Sequence, residues 1–357
     1  MYVTTIRDFA NRNESEIIVT SGKGLITDIA LMNLRHIWRP LYMIEVPVNI
    51  IKILWLAFSG RIFASGAIFH VHGVANIAPI FAARVMRIPV LWHLHETGIN
   101  FRWIFAIGKL ALKRGRFYIA VVAQKCAAAY ALRDFVFLPG VIDHRFWRPA
   151  TSGLAYTSEF DAALEWADSN GDASIRLLTV GNLNPTKGLD VLLDALRGCR
   201  RPVTLKIVGA ELLTHQEFAN TIYEYAKRLN ADSINLRFEF LQWQNKNAVR
   251  SLMAGCHAFV LPSRSEACPL VLLEALAMGC LCVASDVGDV RLMLGGDARH
   301  RVFQPGAVEE LREILQTLES PPPPPRLNSM FVDEWKLERV AAKISAIYDE
   351  LRKPSAK

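Results

Sequence analysis

Short apolar runs alternate with helical patterns along the chain. Residues 16–20 (EIIVT), 67–71 (AIFHV), 89–93 (PVLWH), 117–123 (FYIAVVA) and 134–138 (DFVFL) read as buried strands, with helical periodicity around 77–86 and 124–132. Nearly continuous apolar strands joined by helices are the signature of a parallel sheet covered on both faces. The pattern breaks over 148–174, where Pro149, Gly153, Asn170 and Gly171 mark a linker with one helical insertion. A second alternating block follows. Its strands are expected at 175–180, 203–208, 236–241, 258–261 and 281–284, and its helices at 189–197, 216–229, 247–253 and 269–278. Five prolines at 321–325 form an extended spacer, and 331–351 reads as a final amphipathic helix.

Two alternating blocks predict an α/β chain with two doubly wound domains. The expected division is a first domain over 1–147, a linker over 148–173 and a second domain over 174–320. A proline-rich spacer over 321–330 and a last helix over 331–352 complete it. Ligands in such sheets bind beyond the carboxyl ends of the strands.

Composition removes several classes. Of 357 residues, 52% are hydrophobic and 21% charged, too apolar for wholesale disorder and without collagen or coiled-coil bias. The six cysteines, at 126, 199, 256, 268, 280 and 282, offer no Cys-x-x-Cys spacing with matching histidines. They read as reduced side chains of a cytoplasmic protein without a zinc site. The first twelve residues carry Arg7, Asp8 and Arg12 and no apolar block, so no signal peptide is expected. The apolar stretch 41–58 is interrupted by Glu45, Pro47, Asn49 and Lys52, and no membrane span is expected.

Charge is unevenly placed. Residues 1–150 hold 18 Lys and Arg against 8 Asp and Glu, a net +10; residues 151–357 hold 23 against 26, a net −3, and the two recover the +7 of the chain. A basic first half implies an anionic partner. Over 102–118 (RWIFAIGKLALKRGRFY), Arg102, Lys109, Lys113 and Arg116 fall within about 40° of one line on a helix. Trp103, Ile107, Leu110 and Ala111 lie opposite, while Phe105 and Leu112 blur the pattern. Such a helix is either a membrane-surface element or one whose apolar side covers its own sheet. Nucleic-acid binding is the weakest reading, since no basic-aromatic module is present.

Two stretches carry chemistry. In the first, Gly181-Asn182-Leu183-Asn184-Pro185-Thr186-Lys187-Gly188, a strand ends in Gly, a polar loop follows and a helix begins near Gly188. Gly181 lets a ligand approach the backbone, and a helix start with Lys187 suits phosphate. No Walker loop is present. The second stretch runs from Pro262 to Gly279 and sets Glu274 inside an apolar helical run. A buried carboxylate is costly unless paired or hydrogen-bonded. Either a structural ion pair or a hydroxyl-rich ligand would satisfy it. Glu266 lies just before that helix. The backbone of Ala267, Cys268, Pro269 and Leu270 would face the same ligand, an arrangement that suits a sugar.

These motifs, in this order and in the second block, resemble the family 4 retaining glycosyltransferases, which have the GT-B fold of two facing Rossmann-like domains. The resemblance rests on Glu266-x7-Glu274 and on the loop ending in Lys187-Gly188. It is supported by His70-Val71-His72-Gly73, by 138–143 (LPGVID) and by 285–288 (SDVG). It implies transfer of a hexosyl group from a UDP- or GDP-sugar, with anomeric configuration retained and no cofactor or bound metal. Lys187 would neutralise the donor diphosphate, Glu274 would hold the ribose, and Glu266 would contact the sugar near the reacting carbon. Gly181, Asn182 and residues 267–270 would complete the donor site. His95, at the end of a first-domain strand, would serve the reacting sugar as the second catalytic residue. His72 and Gly73 would face the acceptor, a lipid-linked or polysaccharide precursor. The last helix would cross back onto the first domain.

Two departures stand out. Asn182 occupies the place of a usual Arg, removing one expected cation; Arg264 or another base would have to replace it. The first strand and Gly-rich acceptor loop of the family are expected to be missing ahead of 16–20. The resulting expectation is a cytoplasmic, membrane-peripheral glycosyltransferase of the cell envelope, on the inner face of the membrane. A sugar-nucleotide-binding subunit without catalysis and, more remotely, a sugar-nucleotide epimerase stay open.

Overall fold

The computed structural model describes residues 20–21, 29–30, 42–58, 67–97, 102–113, 115–148, 174–318 and 333–353. They fall into two compact units, Met1–Val141 with Glu338–Lys357, and Ile142–Leu337. The expected strand at 16–20 and the expected loss of a preceding strand lie almost wholly outside the described residues. So do the helical insertion of the 148–173 linker and the 321–330 spacer.

The first unit opens with a two-residue parallel pair, β1 (Thr20–Ser21) and β2 (Ile29–Ala30), followed by helix α1 (Tyr42–Phe58). Its main sheet is parallel, in the order β3 (Phe69–His72), β4 (Val90–Leu94), β5 (Phe117–Val121) and β6 (Val136–Phe137). Between these strands run α2 (Ala78–Met86), α3 (Arg102–Leu112) and α4 (Gln124–Ala129). Every residue of β4 is buried, as a strand covered on both faces requires. The first unit also holds most of the helix Leu337–Arg352, whose Tyr348 hydroxyl lies 2.8 Å from His70 Nδ1 on β3.

Helix α1 was not expected. Pro47 falls in its second turn, where one early backbone bond is lost and the apolar rows on either side carry the helix on. Among the described residues no helix is long and apolar enough to cross a membrane.

Helix α3 corrects the reading of 102–118. It ends at Leu112, Phe117 already belongs to β5, and Arg116 sits between them, donating to the Lys353 carbonyl. Arg116 therefore shares no helical face with Lys109. The buried side is Ile104, Phe105, Gly108 and Leu112, while Trp103, Ile107 and Leu110 are exposed. The apolar positions form two stripes; the one with Phe105 and Leu112 packs inward, where Trp92 lies directly over Gly108.

The second unit is a six-stranded parallel sheet. Its strands are β7 (Ile175–Val180), β8 (Val203–Val208), β9 (Leu236–Leu241), β10 (Ala258–Leu261), β11 (Leu281–Ser285) and β12 (Arg301–Phe303), in the order 12-11-10-7-8-9. Its helices are α5 (Leu189–Leu196), α6 (Gln216–Asp232), α7 (Lys246–Gly255), α8 (Leu270–Ala277), α9 (Val290–Leu294) and α10 (Val308–Thr317). The core is a continuous cluster built on Leu177, Leu192, Leu193, Leu205, Val260 and Phe303. The edge strand β12, three residues long, was too short to read from periodicity. None of the six cysteines is in a disulfide; Cys126, Cys199, Cys280 and Cys282 are buried.

Candidate functional site

The strand order fixes where a ligand can enter the second unit. From β7 the chain winds outward through β8 and β9, then returns to the other side of β7 as β10 and continues to β11 and β12. The connections leave β7 and β10 in opposite directions, which opens a crevice outside their carboxyl ends. Both chemistry-bearing loops sit there, one following Val180 and one following Leu261.

The first loop is tightly built. Gly181 N–H donates to the Val208 carbonyl, and the Lys187 side chain passes over Gly181, 3.4–3.6 Å from where a Cβ would be. The Asn184 side chain caps the short 3₁₀ turn Pro185–Lys187 by accepting from Thr186 N–H at 3.0 Å. Gly188 adopts φ +64°, and a Cβ there would lie 2.0 Å from the Pro262 carbonyl oxygen. Only glycine lets the two loops approach so closely. Asn182 is exposed at the start of this loop.

Lys187 Nζ lies 2.6 Å from Glu266 Oε1, which also accepts from Ser263 Oγ at 2.8 Å. Two residues picked out separately in the sequence thus meet as an ion pair, with Glu266 mostly covered and Lys187 half-buried. Arg264, offered above as a replacement cation, is committed elsewhere. Its guanidinium makes a bidentate pair with Asp190 at 2.7 and 2.6 Å and donates to the Pro185 carbonyl at 2.9 Å. It braces the first loop and leaves the cation missing at Asn182 unreplaced by this route.

Pro269 stands at the start of α8 and, having no N–H, is no donor; the amides available in this stretch are those of Ala267, Cys268 and Leu270. Gly288, at φ +50°, lies against the Ala267 carbonyl, where a Cβ would fall 2.1 Å from the oxygen. Asp289 N–H donates to the same carbonyl at 3.1 Å.

Glu274 lies in α8 and is 8% exposed. Burial raises its carboxyl to about pKa 7, the charge of Lys246 opposing the rise. No ion pair or hydrogen bond to this side chain is found among the described residues, so the structural ion pair left open above is not what holds it.

In the first unit, His72 ends β3 and Gly73 follows at φ +79°. His95 follows β4, half-buried, with its Nε2 3.0 Å from His72 Nδ1. Burial lowers the His95 pKa, with Glu96 pulling the other way. Glu96, missed in the sequence, accepts from Val74 N–H at 2.9 Å and His95 N–H at 3.2 Å through Oε2. Ser263 and the Arg264–Asp190 brace were also missed. Ser263 was legible inside the Pro-Ser-x2-Glu spacing, whereas a pair 74 residues apart has no local signal.

Residues 166–330 match the family model described as glycosyl transferases group 1. A glycogen synthase of Deinococcus deserti is 29% identical over 191 residues, 50% of this chain and 40% of that protein. The chain therefore spans about two fifths of that relative. Among solved structures, Anabaena HepE in complex with UDP and glucose superposes with a TM-score of 0.70 at 17% identity, covering 96% of this chain and 89% of that one. A glycosyltransferase from Rickettsia africae reaches a TM-score of 0.76 at 15% identity, with 99% and 94% covered. Similarity at this level establishes the fold, GT-B.

Proposed function

Because the second unit carries the group 1 glycosyl transferase match, we propose that this protein moves a hexosyl group from a nucleotide-sugar to a lipid-linked or glycan acceptor, retaining the anomeric configuration. The observation that carries the reading is Glu274, a buried carboxylate without a hydrogen-bond or ion-pair partner among the described residues, in the helix that follows the crevice strand β10. A pair of ribose hydroxyls would supply the hydrogen bonds it lacks. The UDP and glucose bound by Anabaena HepE are consistent with a donor of this class.

Lys187 then meets the donor diphosphate, exchanging its bond to Glu266 for one to phosphate. Glu266, released, takes a hydroxyl of the transferred sugar, and the amides of Ala267, Cys268 and Leu270 line the same end. The sugar–phosphate bond breaks with charge building on the leaving diphosphate, which Lys187 and the helix start stabilise without a metal. The acceptor oxygen bonds to the same face of the sugar, and its proton passes to the leaving phosphate. His95 is the catalytic candidate of the first unit, with His72 and Gly73 on the acceptor side.

The acceptor is expected at an anionic membrane, which gives the protein a peripheral place on the inner face of the cell membrane. Trp55 and Phe58 on α1 and Trp103 on α3 are 56%, 79% and 55% exposed. They belong to a half of the chain with net charge +10, the combination that binds lipid interfaces.

Asn182 and the engagement of Arg264 favour a second reading, in which the donor is bound and not turned over. Incubating the protein with radiolabelled donor and a membrane extract separates the two. Label in lipid or polymer with the anomeric configuration kept supports transfer, and donor recovered intact despite tight binding supports the second.

A further inference from the structure

Two His-x-His pairs end neighbouring strands of the first unit, 70–72 on β3 and 93–95 at the end of β4. Parallel register sets His72 opposite His93. Side chains alternate along a strand, so all four imidazoles fall on one face. Ring centroids lie 4.2 Å apart for His70 and His72, 5.4 Å for His72 and His93, and 5.6 Å for His70 and His93. One ring nitrogen from each of His70, His72 and His93 lies within 4.8 Å of the other two.

The surrounding hydrogen bonds decide which nitrogens carry lone pairs. His93 Nε2 is 2.8 Å from the Leu138 carbonyl, which can only accept, so the proton is on Nε2 and the lone pair on Nδ1. His70 Nδ1 is 2.8 Å from the Tyr348 hydroxyl, and its Nε2 is buried without a hydrogen-bond partner among the described residues. Nδ1–H donating to the phenol oxygen leaves that buried Nε2 with its lone pair. His72 Nδ1 meets His95 Nε2 at 3.0 Å.

We propose that His70, His72 and His93 form a site for a divalent late transition metal such as zinc, with Nε2 of His70, Nδ1 of His93 and one nitrogen of His72 as ligands. Each imidazole is oriented from behind by a second group: Tyr348, the Leu138 carbonyl and His95. This is how metal-binding histidines are ordinarily fixed. An all-imidazole set suits zinc, copper, nickel or iron and does not suit magnesium or calcium. Zinc–nitrogen bonds of about 2.0–2.1 Å bring tetrahedral donors to about 3.4 Å from one another. Binding requires the ligand nitrogens, within 4.8 Å of one another in the structure, to draw together to that value. The site belongs to the first unit and the donor loops to the second.

The test uses the full chain, stripped with a chelator and titrated with zinc or cobalt chloride. One equivalent per chain is expected, with cobalt giving the visible bands of a tetrahedral nitrogen site. His70→Gln and His72→Gln should each weaken zinc binding at least about tenfold at unchanged circular dichroism. Tyr348→Phe, which removes no ligand, should weaken it by about 10–100-fold and shift the cobalt spectrum. Should the histidine variants fail to fold, the wild-type stoichiometry and the Tyr348→Phe spectrum decide. A folded wild-type chain that takes up no zinc or cobalt overturns the proposal. So does an unchanged zinc affinity in folded His70→Gln and His72→Gln.

Discussion

Glu274 illustrates what a single residue can reveal. In the sequence it is a carboxylate within LVLLEALA; in the structure it is buried in α8 with no ion pair among the described residues, and burial raises it to about pKa 7. A folded-state pKa above the unfolded value of 4.5 means that the fold prefers the protonated acid. Its stabilising contribution is complete below about pH 4.5 and is lost as pH rises through 7. Glu274→Gln imitates the neutral acid. The variant should match the wild type near pH 4 and exceed it at pH 8 by about 3 kcal/mol. Chemical denaturation at both pH values checks this, and a constant difference would mean that Glu274 ionises normally. Lys187 and Glu266 were legible one by one; their 2.6 Å contact was not, because it joins loops 79 residues apart. The histidine cluster was hidden for the same reason. Only the register between β3 and β4 turns two His-x-His pairs into one group.

Elements were most legible where one period dominated. Strands β7, β8, β9 and β10 begin and end at the predicted residues, because buried parallel strands are unbroken apolar runs. Helix α1 was lost to its interruptions at Glu45, Pro47, Asn49 and Lys52. Helix α3 carries two apolar stripes, which left its inward side open in the sequence; the inward one holds Phe105 and Gly108. Its outward stripe is the functional question. Trp103, Ile107 and Leu110 share exposure with Arg102, Lys109 and Lys113. Flotation with vesicles containing phosphatidylglycerol should carry the protein upward. Trp55→Ser combined with Trp103→Ser should reduce the bound fraction severalfold, and neutral phosphatidylcholine vesicles should bind weakly. Equal binding of wild type and double variant to both vesicles would remove the membrane assignment of these helices.

At the scale of the molecule, the two alternating blocks were visible in the sequence, and the structure resolves them into two units with parallel sheets. What the sequence could not provide is the order of the strands. The 12-11-10-7-8-9 arrangement brings the loops after β7 and β10 to one crevice and gives the paired motifs their meaning. Gly188, pressed against the Pro262 carbonyl, shows how tightly those two loops are joined.

The central claim is that this crevice binds a nucleoside diphosphate sugar through Lys187 and Glu274. Its most direct test is isothermal titration calorimetry of UDP-, GDP- and ADP-sugars into the full chain, without added metal, for the wild type and for Lys187→Ala and Glu274→Ala. One nucleotide class should bind with one site per chain. Each variant should lose about 10–100-fold in affinity, the effect of one charge-assisted contact worth about 1.5–3 kcal/mol. A folded wild-type chain that binds none of the three classes, or binds one with an affinity both variants keep, would contradict the account.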